Sequence, residues 1–227
     1  MSKHLGRELG HLRDDLIRQF GVVEEMIHMA VRSLVNRRVD LADRVIARDT
    51  EVDETDIRIE EECLKLIALH QPVATDMRWL ITVVKVNAEL ERMADLACNT
   101  AERTRALDAF PLFPVPDELT DMVAAATVMV RTALDAFVDN DSVLAFRVLA
   151  SDDEVDALNR IVIDQLHELM KEDSDMVEPA VHCFSASRHI EQIADLAGTI
   201  AEDVIYLVDG DIVRHQHGPK VSRFDSQ

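Results

Sequence analysis

The amino-acid sequence predicts an all-α protein of two tandem antiparallel three-helix bundles, and three observations carry that reading. The composition is 48% apolar but only 4% aromatic, with six Gly and six Pro in 227 residues. Ala, Leu, Val, Glu, Asp and Arg dominate, as in packed amphipathic helices. Apolar residues recur at three- and four-residue spacing over long stretches. The second half of the chain also repeats the first. The length is sufficient for one or two domains with a sizeable core.

Leu16-Ile17, Phe20, Val23, Ile27, Ala30-Val31 and Leu34 form the buried stripe of a first helix, expected from about Glu8 to Asn36. Asn36-Arg37-Arg38-Val39 makes a turn, and Asp40 is placed to cap the next helix. That second helix is expected to run unbroken through Leu41, Val45, Ile46, Val52, Ile59, Cys63, Leu66 and Ile67 to His70-Gln71-Pro72, where proline stops it. A third helix starts near Thr75, carries Trp79-Leu80 and Val83-Val84 on its apolar side, and fades near Asp108. Phe110-Pro111-Leu112-Phe113-Pro114-Val115-Pro116 holds half the prolines of the chain and reads as a semi-rigid linker.

Beyond the linker the pattern returns. At a shift of 103, Leu41 to Asp53 matches Leu144 to Asp156 with nine of thirteen positions identical. Met26, Ala30, Leu34 and Val35 pair with Met129, Ala133, Phe137 and Val138 at the same shift. Helices are therefore expected over 117–138, 141–171 and 177–208. The units span 8–108 and 117–209, with a linker at 109–116 and a tail at 210–227.

One motif occurs in both units. Glu91-Arg92-Met93-Ala94-Asp95-Leu96-Ala97 and Glu191-Gln192-Ile193-Ala194-Asp195-Leu196-Ala197 both read E-x-x-A-D-L-A, one hundred residues apart. On a helix each copy sets two carboxylates on one face, one turn apart. Two like charges about 4 Å apart repel by roughly 4 kcal/mol at the effective dielectric of a protein surface, which a bound cation would offset. The repeat supplies a second pair: Asp49 with Asp53, and their twins Asp152 with Asp156. Helices joined by a short turn are antiparallel. Counting back from that turn sets Asp49 and Asp53 across from Asp95 and Glu91, and Asp152 and Asp156 across from Asp195 and Glu191. Four carboxylates from two helices form an oxygen-only donor set. Such a set suits Mg²⁺, Mn²⁺, Ca²⁺ or iron rather than Zn²⁺. Asn99, four beyond Asp95, could add a carbonyl oxygen, and Arg44 and Arg147 could neutralise aspartates instead.

Other classes find less support. A net charge of −20 opposes general nucleic-acid binding and suits cations or basic partner surfaces. Cys63, Cys98 and Cys183 show no metal or redox spacing, which points to buried thiols in a reducing cytoplasm. No signal-peptide core and no run of about 18 apolar residues occurs, so neither secretion nor a membrane span is expected. No phosphate-cradling glycine loop or nucleophile elbow is present. Trp79 reads as core. A carboxylate-bridged metal enzyme or iron-handling bundle is the alternative, because Glu25-Met26-Ile27-His28 fits one E-x-x-H. Its twin is Val128-Met129-Val130-Arg131, so the second copy is missing. His215-Gln216-His217 reads as a polar tail.

Gln71-Pro72-Val73-Ala74-Thr75-Asp76-Met77-Arg78, Ala88-Glu89-Leu90-Glu91-Arg92-Met93-Ala94-Asp95 and His189-Ile190-Glu191-Gln192-Ile193-Ala194-Asp195 together resemble the PhoU family of bacterial phosphate-uptake regulators. The ending Tyr206-Leu207-Val208-Asp209-Gly210, with Arg214-His215, is similar as well, so the likeness spans about residues 8–215. It implies two three-helix units and multinuclear metal sites at Glu91, Asp95, Glu191 and Asp195, filled by divalent or trivalent ions such as Fe, Mn or Mg. It further implies a cytoplasmic, non-catalytic adaptor, expected as a homodimer. Such an adaptor links the ATPase subunit of a phosphate ABC transporter to a sensor histidine kinase and holds the phosphate-starvation response off. The chain departs from the family pattern at Ala94 and Ala194, where glycine is common, and at Gln192, where arginine is common.

Overall fold

The computed structural model describes residues 3–110 and 113–210, and among them only helices and their connections occur. The first unit contains α1 (Lys3–Val35), α2 (Val39–Ile46), α3 (Asp49–His70) and α4 (Thr75–Leu107). The second contains α5 (Asp117–Asp139), α6 (Ser142–Glu172), a single 3₁₀ turn at Ser174–Met176, and α7 (Val177–Asp209). Residues 111–112 of the proline-rich connection and the tail with His215 and His217 lie outside the described residues.

α1 begins five residues earlier than the apolar stripe alone suggests. Leu12, Leu16, Phe20, Val23, Met26, Ala30 and Leu34 are all buried on one of its faces, and the stripe extends to the buried Leu5. Arg37 ends α1 in the left-handed region at φ 50°. Its guanidinium donates to the carbonyls of Leu107 (2.8 Å), Phe110 (2.9 Å) and Phe113 (3.3 Å), tying the exit of α4 and the connection to the α1–α2 turn.

The second helix departs from expectation in two ways. It is interrupted at Ala47-Arg48, which separates α2 from α3 immediately before Asp49. Both residues keep right-handed helical angles. The Arg48 and Glu51 N–H groups nevertheless bond three residues back, to Val45 and Arg48, which tightens the turn at this point. Arg48 reaches across to Glu25 of α1 (2.5 Å), a contact its twin Ser151 in the unbroken α6 cannot make. Asp40 is also not the cap. The helix starts at Val39, so Asp40 lies inside the first turn, and its carboxylate takes the Arg38 guanidinium at 2.6 Å. In the second unit Asp141 is a true N-cap, accepting from the N–H groups of Val143 (2.8 Å) and Leu144 (3.1 Å).

α3 closes on Gln71 at φ 44° before Pro72. α7 closes on Gly210 at φ +77°, a left-handed conformation that favours glycine, with the Arg78 guanidinium close by.

α4 packs against α1, α2 and α3, and α7 against α5 and α6. α4 and α7 also pack on each other, and α1 on α5, so the two units share one continuous apolar core. α4 and α7 are antiparallel: Lys85 meets Asp203 (3.0 Å), while further along α4 Thr100 lies 3.4 Å from His189. Trp79 packs its ring 6.3 Å from that of Phe137, joining the units as part of the core.

Candidate metal centre

Both acidic motifs lie on these central helices. Ala94 and Ala194 are buried, which turns Glu91, Asp95, Glu191 and Asp195 toward the flanks that face α3 and α6. Two contacts set the register of the α3–α4 pair. The Asn87 amide donates to the Asp56 carboxylate (2.6 Å) and carbonyl (3.0 Å), and the Cys98 thiol donates to Asp49 Oδ1 (3.4 Å). Between those fixed points Asp53 and Asp49 come opposite Glu91 and Asp95, as the antiparallel count requires.

The electrostatics follow from that register. Glu91 holds its proton more tightly than an ordinary glutamate, first through desolvation and then through the fields of Asp95, Asp56, Asp53 and Asp49. Asp95 is raised by desolvation, Asp49 and Asp53. In the second unit desolvation, Glu191, Asp152 and Asp156 raise Asp195 to about 6, against a smaller opposing effect of Arg188. Arg188 donates to Glu191 Oε1 (2.7 Å), and Arg160 stands 3.8 Å from Asp156. Glu191 Oε2 is buried without a hydrogen-bond partner.

The structure thus sets eight predicted acids, Asp49, Asp53, Glu91, Asp95, Asp152, Asp156, Glu191 and Asp195, in two mutually repelling groups. Asn99, one turn beyond Asp95, is exposed on α4, as Asp95 is, and makes no hydrogen bond among the described residues. The structure adds two residues that the sequence reading did not place in these groups. Asp56 is raised by burial, Glu60 and Asp53, and bears on Glu91. Its signal was an acid three beyond Asp53, hidden because its twin is Asn159. Cys98, unlike the buried Cys63 and Cys183, is half-buried at the acidic group. Desolvation and Asp49 push its thiol well above the ordinary range.

Among the described residues no three His, Cys, Asp or Glu side chains converge into a preformed ion cage. The donor set nonetheless fits a hard or borderline cation. It consists of carboxylate oxygens that repel one another, and one of them is buried with no donor. Glu25 is held by Arg48, and His28 lines a separate groove of 470 Å³ with Arg44 and Arg131. A larger groove of 1010 Å³ lies between Pro114–Pro116 and the end of α6, and none of the eight acids lines either groove.

Fold and site together define a duplicated helical-bundle protein with an acidic cluster in each half, set on the two helices that join the halves. The chain belongs to the PhoU family: the PhoU domain profile matches residues 16–104 and 119–204. It is 36% identical over 213 residues to a phosphate-specific transport system accessory protein PhoU homolog of Aquifex aeolicus, covering 94% of this chain and 96% of that protein. It is 31% identical to the phosphate-specific transport system accessory protein PhoU of Escherichia coli, covering 98% and 94%. The crystal structure of PhoU from Pseudomonas aeruginosa superposes with a TM-score of 0.87 at 33% identity, over 91% of this chain and 99% of that one. These relatives are named as accessory proteins rather than enzymes. Among the described residues no helix is long and apolar enough to cross a membrane.

Proposed function

We propose that this chain is a cytoplasmic accessory protein of phosphate-specific transport whose two acidic clusters hold metal ions. In this reading it does no catalysis. It acts as an adaptor between the transporter ATPase and a sensor histidine kinase, as a homodimer, and keeps the phosphate-starvation response off. The observation that carries the metal part is the pairing of acids across α3–α4 and again across α6–α7. Desolvation, and after it the repulsion of neighbouring carboxylates, raises Glu91, Asp95 and Asp195, and a divalent ion would relieve that repulsion. A cation bound between two helices also fixes their spacing, so loading would set the shape offered to a partner. The relatives' names support the transport role, and the net charge of −20 supports basic partner surfaces.

Elemental analysis of protein purified without chelator tests the metal part: divalent or trivalent ions above background are expected, and Glu91→Ala with Asp95→Ala should remove the first unit's share. Unchanged content in the double variant would put the ligands elsewhere. Pull-down with the transporter ATPase and with the kinase cytoplasmic region tests the adaptor part, and binding to neither would overturn it.

A further inference from the structure

Repeat-related positions next to the two acidic clusters are not chemically equal. In the first unit Asp56 receives the Asn87 amide at both its carboxylate and its carbonyl. In the second unit the twin of Asp56 is Asn159, and the twin of Asn87 is Ser187, whose hydroxyl donates back to the Phe184 carbonyl (3.0 Å). The donor that serves Asp56 is therefore absent. Asn159 is only 4% exposed, and its Oδ1 has no hydrogen-bond partner. It lies one turn beyond Asp156 on the face of α6 that the repeat turns toward α7, since Asp56 at the twin position meets α4 and acts on Glu91. Glu191, the twin of Glu91, keeps a second buried acceptor, Oε2, also without a partner. The first unit has its own orphan, Asn87 Oδ1, but no carboxylate oxygen of that cluster shares its condition.

We propose that Asn159 supplies its amide oxygen, together with Glu191 Oε2, as ligands to a hard divalent cation at the α6–α7 cluster. Two buried acceptors without a donor are costly, and a cation is the species that both can serve. The surrounding Asp152, Asp156 and Asp195 exclude an anion, and the nearest guanidinium, that of Arg188, already occupies the other oxygen of Glu191. The result is a site deeper by one helical turn than the four acids alone, with a neutral amide in place of a fifth charge. This inference rests on the metal reading above.

The test is Mn²⁺ titration, by the loss of the free-ion spin-resonance signal, in a parent chain carrying Glu91→Ala and Asp95→Ala so that only the second cluster binds. Adding Asn159→Ala should weaken Mn²⁺ by about tenfold or more. Asn159→Asp, which keeps an oxygen at the same place, should bind within about threefold of the parent or more tightly. Unchanged affinity in Asn159→Ala overturns the proposal and leaves the metal reading standing. Equal weakening by both variants, with unaltered circular dichroism, also overturns it, because packing and not the oxygen then matters. A parent that binds no Mn²⁺ overturns the metal reading of this cluster and the proposal with it. If Asn159→Ala does not fold, the near-isosteric Asn159→Asp decides alone: weakening beyond threefold refutes the ligand role, and tightening supports it.

Discussion

Asp195→Asn tests whether the second cluster is a strained group of acids or an ordinary solvated face. Asp195 in the fold is raised from 3.8 to about 6. The native state therefore binds this proton more tightly than the unfolded chain does. Its contribution to stability is full below about pH 3.8 and is lost as the pH rises through about 6. Fully shielded, such a rise would correspond to roughly 3 kcal/mol. Asp195 is exposed, so solvent screening reduces the effect to about 1 kcal/mol. Asparagine never ionises. Chelator-treated Asp195→Asn should therefore gain on the wild type by about 1 kcal/mol between pH 4 and pH 7.5, or roughly 2–4 °C in melting temperature for a chain of this size. The assay is thermal unfolding of both proteins across that range in EDTA. Saturating Mn²⁺ should reverse the order at pH 7.5, because the ion relieves the repulsion only where the carboxylate remains. A melting difference that does not change with pH would refute the strain, and wild type and variant responding equally to Mn²⁺ would refute the role of Asp195 in binding.

Three further outcomes follow from the contacts between elements. Lys85→Met removes an ion-pair partner of Asp203, which is 2% exposed, and should destabilise the fold by about 1–2 kcal/mol in denaturant unfolding; the added change Asp203→Leu should recover part of it. Arg37→Ala frees three carbonyls at the α4 exit and the proline-rich connection. It should cost about 2 kcal/mol and speed proteolytic cleavage near residues 108–116. Asp141→Ala should cost about 1 kcal/mol by uncapping α6, while Asp40→Ala should cost less than half as much, since Asp40 caps nothing.

The helices were legible because their signals are local. Apolar spacing, Pro72, the proline-rich connection and the repeat place the outer bounds of the helices, though not the break between α2 and α3. The register of the acids was legible too, since a short turn forces antiparallel neighbours and equal counting does the rest. What escaped depends on partners remote in sequence. Ala47 and Arg48 are good helix formers, and the break there goes with Arg48 reaching Glu25 on another helix. Cys98 has the composition of a core residue, yet its thiol meets Asp49, which lies on α3 just past that break. Asp56 has no acidic twin in the second unit, where Asn159 stands, and its place in the cluster is set by Asn87 on the remote helix α4. Asn99 follows Asp95 at the right spacing and is exposed on α4, as Asp95 is.

The residues beside the shared acids differ between the repeats, and they give the two clusters different electrostatic characters. The first gathers five carboxylates, Asp49, Asp53, Asp56, Glu91 and Asp95. Its direct donors are the neutral Asn87 amide and Cys98 thiol, while the adjacent Arg48 is drawn away to Glu25 and Glu51. The second has four carboxylates, with Arg188 on Glu191 and Arg160 beside Asp156. If the clusters hold metal as proposed, binding at the first would be driven by net negative charge, which salt screens. At the second the guanidinium groups would cancel part of that charge, and buried oxygens would carry more of the affinity. Raising NaCl from about 50 to 500 mM shortens the screening length from roughly 14 to 4 Å. Mn²⁺ affinity should then fall more steeply in a chain with Glu191→Ala and Asp195→Ala, which retains the first cluster, than in one with Glu91→Ala and Asp95→Ala. Equal slopes, or a steeper one at the second cluster, would mean that Arg188 and Arg160 do not offset its acids in solution.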